Sequence, residues 1–208
     1  MPADYIDLFY LLAAVLFIFG LKGLSHPSTA VRGNLLGSSG MLLAIVVTLL
    51  DRRVVSFEVI VAGIVVGGLI GSIMAYRVSM NAMPQVVAVF NGFGGGASAL
   101  AVGAALEEAL GGGFVEEISV QFTISAVGAG LIGGVALTGS AVAFGKLQDF
   151  LVPTRAINSR IIKALNPTLF LGAVGMTISL VVFSESSLVF PVLIAVSLVL
   201  GIFLVLPI

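Results

Sequence analysis

Seven long apolar runs separated by short polar connections set the pattern of this chain. The runs are Tyr5 to Leu24, Asn34 to Leu50, Phe57 to Tyr76, Pro84 to Leu106, Val120 to Phe144, Thr168 to Phe183, and Leu188 to Ile208. Most approach the roughly 20 residues that a helix needs to cross a hydrocarbon core about 30 Å thick. A transmembrane barrel would alternate apolar and polar residues over about ten positions, and these runs do not. The pattern predicts an all-α integral membrane protein, a single transmembrane domain over residues 1–208 built as a bundle of about seven spans.

The connections carry the charges. With seven spans, Lys22, Arg32, Arg77, Lys146, Arg155, Arg160 and Lys163 fall on one side and Arg52 and Arg53 on the other. Basic residues collect on the cytoplasmic side, so the amino terminus is expected outside and the carboxyl terminus in the cytoplasm. Glu107, Glu108, Glu116 and Glu117 then lie outside. In the long fifth loop Phe150, Leu151, Ile157, Ile161, Ile162 and Leu165 alternate with Arg155, Arg160 and Lys163. That stretch suits an amphipathic helix at the headgroups or a docking surface for a soluble domain.

Small residues recur at helical spacing. Gly63, Gly67 and Gly71 on the third span, and Ala126, Gly130, Gly134 and Thr138 on the fifth, each line one helix face. Such faces let a second helix approach closely, so both spans are expected to pack inside the bundle.

Composition agrees with the pattern: 59% of the residues are hydrophobic and only 9% charged, against roughly 25% charged in soluble domains. A formal net charge of -1 without a block of like charges gives no footprint for nucleic acid. The absence of cysteine and the single histidine, His26, leave no disulfide, thiolate or ordinary metal site. Histidine is the residue type suited to proton handling, but His26 sits in the loop SHPSTAVRG, where a histidine is usually solvated. The apolar run from Tyr5 follows Asp4 and contains Asp7, with no basic stretch before it, unlike a removable signal.

No Asp, Glu, Lys or Arg falls in the middle of a span, which removes the carboxylate relay of many pumps. The polar residues inside the spans are Asn34, Ser38, Ser39, Asn91, Ser98, Gln121, Thr123, Ser125, Thr138, Ser140, Thr177 and Ser179. Asn91 stands out, because seven residues past Pro84 at about 1.5 Å each place it roughly 10 Å into the membrane. Gly92, Gly94, Gly95 and Gly96 follow it and weaken the helix by up to about 1 kcal/mol each relative to alanine. The segment reads as a soft section beside a gate or proton-path amide, or as an interhelical hydrogen bond next to a close-packing face. Gly92, Gly94 and Ala97 imitate a dinucleotide fingerprint, but no strand precedes them and a pyrophosphate would lie unpaired in lipid. No cofactor or metal site is expected on this chain.

The segments RVSMNAMPQVVAVFNGFGGGASAL, GGVALTGSAVAFGKL and LLAAVLFIFGLKGLSHPSTAVRGNLLGSSGM resemble the membrane domain of the beta subunit of the proton-translocating NAD(P) transhydrogenases, and the similarity runs through essentially the whole chain. The resemblance implies the Re/Si-specific, proton-translocating enzyme, in which hydride passes between NADH and NADP+ on separate soluble domains while the membrane part conducts protons. It implies alpha-subunit membrane helices and an NAD(H)-binding domain as partners, an NADP(H)-binding domain on the same subunit, a homodimer of the complex, and a place in the cell's inner membrane. Asn91 matches the position after M-P-x-x-V-A-x-x where family members carry a histidine or asparagine implicated in proton transfer. Thr138, Gly139 and Ser140 match the family's T-G-S element, and Lys146 ends that helix on the cytoplasmic side. An amide takes up no proton near neutral pH, so the titrating group is expected on a partner helix. The chain stops at VLPI, ahead of two further spans and the NADP(H) domain, which implies a shortened chain that alone transfers no hydride. Without the resemblance, the same glycines and polar residues would equally suit a secondary transporter or a passive membrane scaffold, although no inverted repeat is evident.

Overall fold

The computed structural model describes residues 3–50, 57–111, 120–148, 160–182 and 189–207. These form seven α-helices and one 3₁₀ turn: α1 Ala3–Leu24, α2 Ala30–Leu50, α3 Phe57–Arg77, the turn Met80–Ala82, α4 Met83–Gly111, α5 Val120–Leu147, α6 Arg160–Val182 and α7 Val189–Val205. No strand occurs among the described residues. Five helices are long and apolar enough to cross a bilayer, and α6 and α7 contribute shorter apolar stretches, Ala164–Leu180 and Val189–Val205. The chain is thus an all-α, multi-span membrane protein. Arg52, Arg53, Glu116, Glu117, Phe150, Leu151, Arg155 and Ile157, used above for orientation and the loop helix, lie outside the described residues.

The chain divides into two compact units, Met1–Ala75 and Tyr76–Ile208. In the first, α1 and α2 form an antiparallel hairpin closed by a turn in which Thr29 Oγ1 donates to the carbonyl of Gly23 at 2.7 Å. Glycine makes the seam possible. A Cβ on Gly20 would stand 2.7 Å from the Gly37 nitrogen, and one on Gly23 would stand 2.7 Å from the Gly33 Cα. At the far end the hydroxyls of Tyr10 and Thr48 join at 2.8 Å; since Thr48 Oγ1 donates to Ala44 O, Tyr10 is the donor. α3 departs from the sequence expectation of tight packing. None of its residues is buried, and nothing lies within 4 Å of where a Cβ would project from Gly63, Gly67 or Gly71. A small-residue face permits close approach without supplying the partner.

In the second unit α5 is central. α4 runs antiparallel along one side of it and α7 parallel along the other, with α6 beside α7. Leu106, Val127, Ala173, Leu180, Phe190 and Leu193 close the core where the four helices meet. The stripe expected on α5 packs as anticipated: Ala126, Gly130 and Gly134 are buried, with Phe190, Ile194 and Ser197 of α7 against the glycines.

Two helices differ from the hydropathy reading. α4 has 29 residues, about 43 Å at 1.5 Å per residue and longer than the hydrocarbon core, so Glu107 and Glu108 end the helix instead of lying in a loop. It is continuous through Gly92 to Gly96, where Gly92, Gly95 and Gly96 lie against α5. α6 begins at Arg160 and not at Thr168, with Pro167 inside it. The proline removes one backbone donor; beside it Thr168 Oγ1 donates to Ala164 O at 2.9 Å, and Asn166 Nδ2 donates to Phe203 O on α7 at 3.1 Å, while the buried Asn166 Oδ1 has no partner among the described residues.

Candidate functional site

The face that α4 turns to α5 is set by the glycine run. A Cβ on Gly95 would lie 2.6 Å from the carbonyl oxygen of Gly133, and one on Gly133 would lie 2.5 Å from that of Gly95. The two backbones therefore touch. Gly92 faces Ser140 Cβ and Gly96 faces Leu137, whereas Gly94 points into open space. Pro84, second in the helix, costs no internal hydrogen bond there.

Close contact brings Asn91 to Ser140. Asn91 Nδ2 donates to Ser140 Oγ at 2.8 Å, a bond between residues 49 apart in sequence. Ser140 is buried; Asn91 keeps an exposed edge, leaving its second N–H and its Oδ1 for water or another side chain. Beside the pair runs a groove of about 280 Å³, lined by Ala88, Val89, Gly92, Phe93, Leu137, Ser140, Ala141 and Phe144. About one helical turn beyond its lining residues Ala88 and Phe144, Gln85 Nε2 donates to Leu147 O at 3.1 Å, and Gln148 Nε2 donates to Gln85 Oε1 at 3.0 Å.

Thr138 and Gly139 face the other way. Successive residues turn by about 100° around a helix, and Thr138 Oγ1 donates to Leu198 O of α7 at 2.7 Å. Gly139 meets Val205 and Gly201, and Gly201 in turn lies against Thr138 and Val135. The T-G-S element thus touches both neighbours of α5, with only its serine at the asparagine. Lys146 belongs to the α7 side as well: its ammonium donates to Val205 O at 3.0 Å and Leu206 O at 2.8 Å, carbonyls at a helix end that favours positive charge.

The remaining polar span residues stand apart from the pair. Ser39, Ser98 and Thr177 hydrogen-bond to carbonyls four residues back on their own helices, and Thr123 is buried. Asn34 and Ser38 line a groove of the α1–α2 hairpin. His26 is exposed, its Nδ1 3.3 Å from Ser25 Oγ. Sequence reasoning missed Ser197, fully buried against Gly134, and the two glutamines. The available signal was spacing: Ser140, Phe144 and Gln148 follow one another at four-residue steps along one face.

Residues 6–208 match the family model described as the NAD(P) transhydrogenase beta subunit. Two curated sequences of NAD(P) transhydrogenase subunit beta from Rhodospirillum rubrum are each 42% identical to this chain over 144 residues, 68% of this chain and 31% of the relative. The matched region is about a third of those relatives' length.

Proposed function

This chain belongs to the NAD(P) transhydrogenase beta-subunit family, and from that premise we propose that it forms part of the proton-conducting membrane portion of a proton-translocating transhydrogenase. Hydride transfer between NADH and NADP+ takes place on separate soluble domains that bind the nucleotides. The membrane helices couple proton movement to nucleotide turnover there. The assembly sits in the cell's inner membrane as a homodimer with alpha-subunit helices, the amino terminus outside and the carboxyl end of α7 on the cytoplasmic side, next to the NADP(H)-binding domain.

The observation that carries the reading is the Asn91–Ser140 hydrogen bond at 2.8 Å, a polar pair in two helices whose charged residues, Glu107, Glu108 and Lys146, stand toward their ends. Asn91 neither gains nor loses a proton at physiological pH. With Nδ2 fixed on Ser140, its remaining N–H and Oδ1 present one donor and one acceptor, enough to orient a water in a hydrogen-bonded file. The proton then moves along water, and the group that titrates comes from a partner polypeptide. Thr138 and Gly139 hold α7 to the opposite face of α5, so displacement at the pair reaches α7 through a shared helix. The continuous α4 favours movement at the α4–α5 seam over a bend within α4.

Asn91→Leu in the complete complex tests the proposal. Proton-coupled turnover in liposomes should fall at least about tenfold, equivalent to roughly 1.4 kcal/mol of barrier. Unchanged coupling with the complex intact would refute it.

A further inference from the structure

The groove between α4 and α5 has apolar walls and one polar lining residue, Ser140, which holds the Asn91 amide. About one helical turn beyond Ala88 and Phe144 stand Gln85, Gln148 and the carbonyl of Leu147. Gln85 to Asn91 is six residues and Ser140 to Gln148 is eight, or about 9 and 12 Å at 1.5 Å per residue. Gln85 shares its face of α4 with Ala88, Val89 and Gly92, and Gln148 continues the α5 row of Ser140, Ala141 and Phe144. The glutamines therefore stand just beyond one end of the groove that Ser140 lines.

We propose that the Gln85–Gln148 amide pair is the interfacial mouth through which water enters the α4–α5 groove and reaches Ser140, the hydrogen-bond partner of Asn91. The proposal rests on the proton-path reading and supplies its route. Three or four waters at hydrogen-bond spacing of about 2.8 Å bridge the interval, and 280 Å³ is ample for such a file. The walls of Ala88, Val89, Ala141 and Phe144 offer no partners to water, so the stretch wets only when both ends hold it and acts as a hydrophobic gate.

The free valences fit this role. Gln85 Nε2 has one N–H on Leu147 O, and Gln85 Oε1 accepts one N–H of Gln148. That leaves an N–H on each amide and the whole Gln148 Oε1 for water. Amides donate and accept without titrating, so the mouth serves either direction of proton flow. The neighbouring cation is held away: Lys146 spends its ammonium on Val205 O and Leu206 O of α7. Glu107 and Glu108 are at the far end of α4, and Asp149 follows Gln148 in the sequence, so the pH profile of any variant is read against that of the unmodified enzyme. A simple cap for the last carbonyl of α5 accounts for the Gln85–Leu147 bond. It accounts neither for the Gln148–Gln85 bond nor for the alignment of both glutamines with the groove.

The test uses the intact enzyme in liposomes, with proton movement read by an internal pH-sensitive dye. Gln85→Leu with Gln148→Leu should lower proton-coupled turnover about tenfold. Gln148→Glu keeps the Gln85 cap and a water-binding oxygen. It should retain turnover and acquire a new pH dependence, with activity changing through the carboxylate range near pH 4 to 5. A cap would produce no such titration. If Asn91→Leu abolishes coupling while the double leucine variant keeps it within twofold, or while the Gln148→Glu pH profile overlays that of the unmodified enzyme, the mouth is refuted and the proton-path reading stands. If Asn91→Leu also leaves coupling intact, both fall.

Discussion

Adding a single methyl group at Gly95 should open the seam on which the polar pair depends. Its Cβ would lie 2.6 Å from Gly133 O and 2.7 Å from Ala136 Cβ, whereas ordinary contact begins at 3.4 Å, so one of the two backbones must give by about 0.8 Å. Asn91 lies one helical turn away. The same opening there would stretch its 2.8 Å bond to Ser140 to about 3.6 Å, beyond hydrogen-bonding range. Overpacking of this kind costs about 1–3 kcal/mol, more than the roughly 1 kcal/mol that alanine gains over glycine in a helix. Gly94→Ala supplies the control, because nothing lies within 4 Å of its added carbon; it should be neutral or slightly stabilising. Thermal melts of the purified complex followed by circular dichroism, paired with proton-coupled turnover, separate the two. Gly95→Ala should lower both, and Gly94→Ala neither. Equal behaviour of the two variants would refute the argument that the glycine run serves close approach.

Gly134→Ala would drive its new carbon into Ser197 and should destabilise the bundle by about 1–3 kcal/mol. Adding Ser197→Gly should recover much of that loss in a double-mutant cycle of melting measurements. Lys146→Met removes two donors from the end of α7, and amide hydrogen exchange over residues 200–207 should quicken while α4 is unaffected. Tyr10→Phe deletes the Tyr10–Thr48 bond and should lower stability of the α1–α2 hairpin by no more than about 1 kcal/mol, read as a small fall in denaturation midpoint.

The sequence alone determined the spans and their helical character, because transfer into lipid depends on each segment's own side chains and on its need to satisfy its backbone internally. It also singled out Asn91, the one asparagine deep in the fourth span, while Ser140 on the fifth was marked among the polar span residues only by the family resemblance. Pairing is another matter. Gly63, Gly67 and Gly71 carry the same four-residue spacing as Ala126, Gly130 and Gly134, yet the first set faces open space and the second packs on α7. Spacing describes one helix's surface, whereas contact depends on two. The sixth run, read from Thr168, belongs to a helix that begins at Arg160 and passes through Pro167, beside which Asn166 donates to α7. Likewise Thr138, Gly139 and Ser140 read as one motif in the linear chain. Only the tertiary structure assigned the serine to Asn91 and the threonine and glycine to α7, because each 100° step around α5 hands the next residue to a different neighbour and no one-dimensional pattern records who those neighbours are.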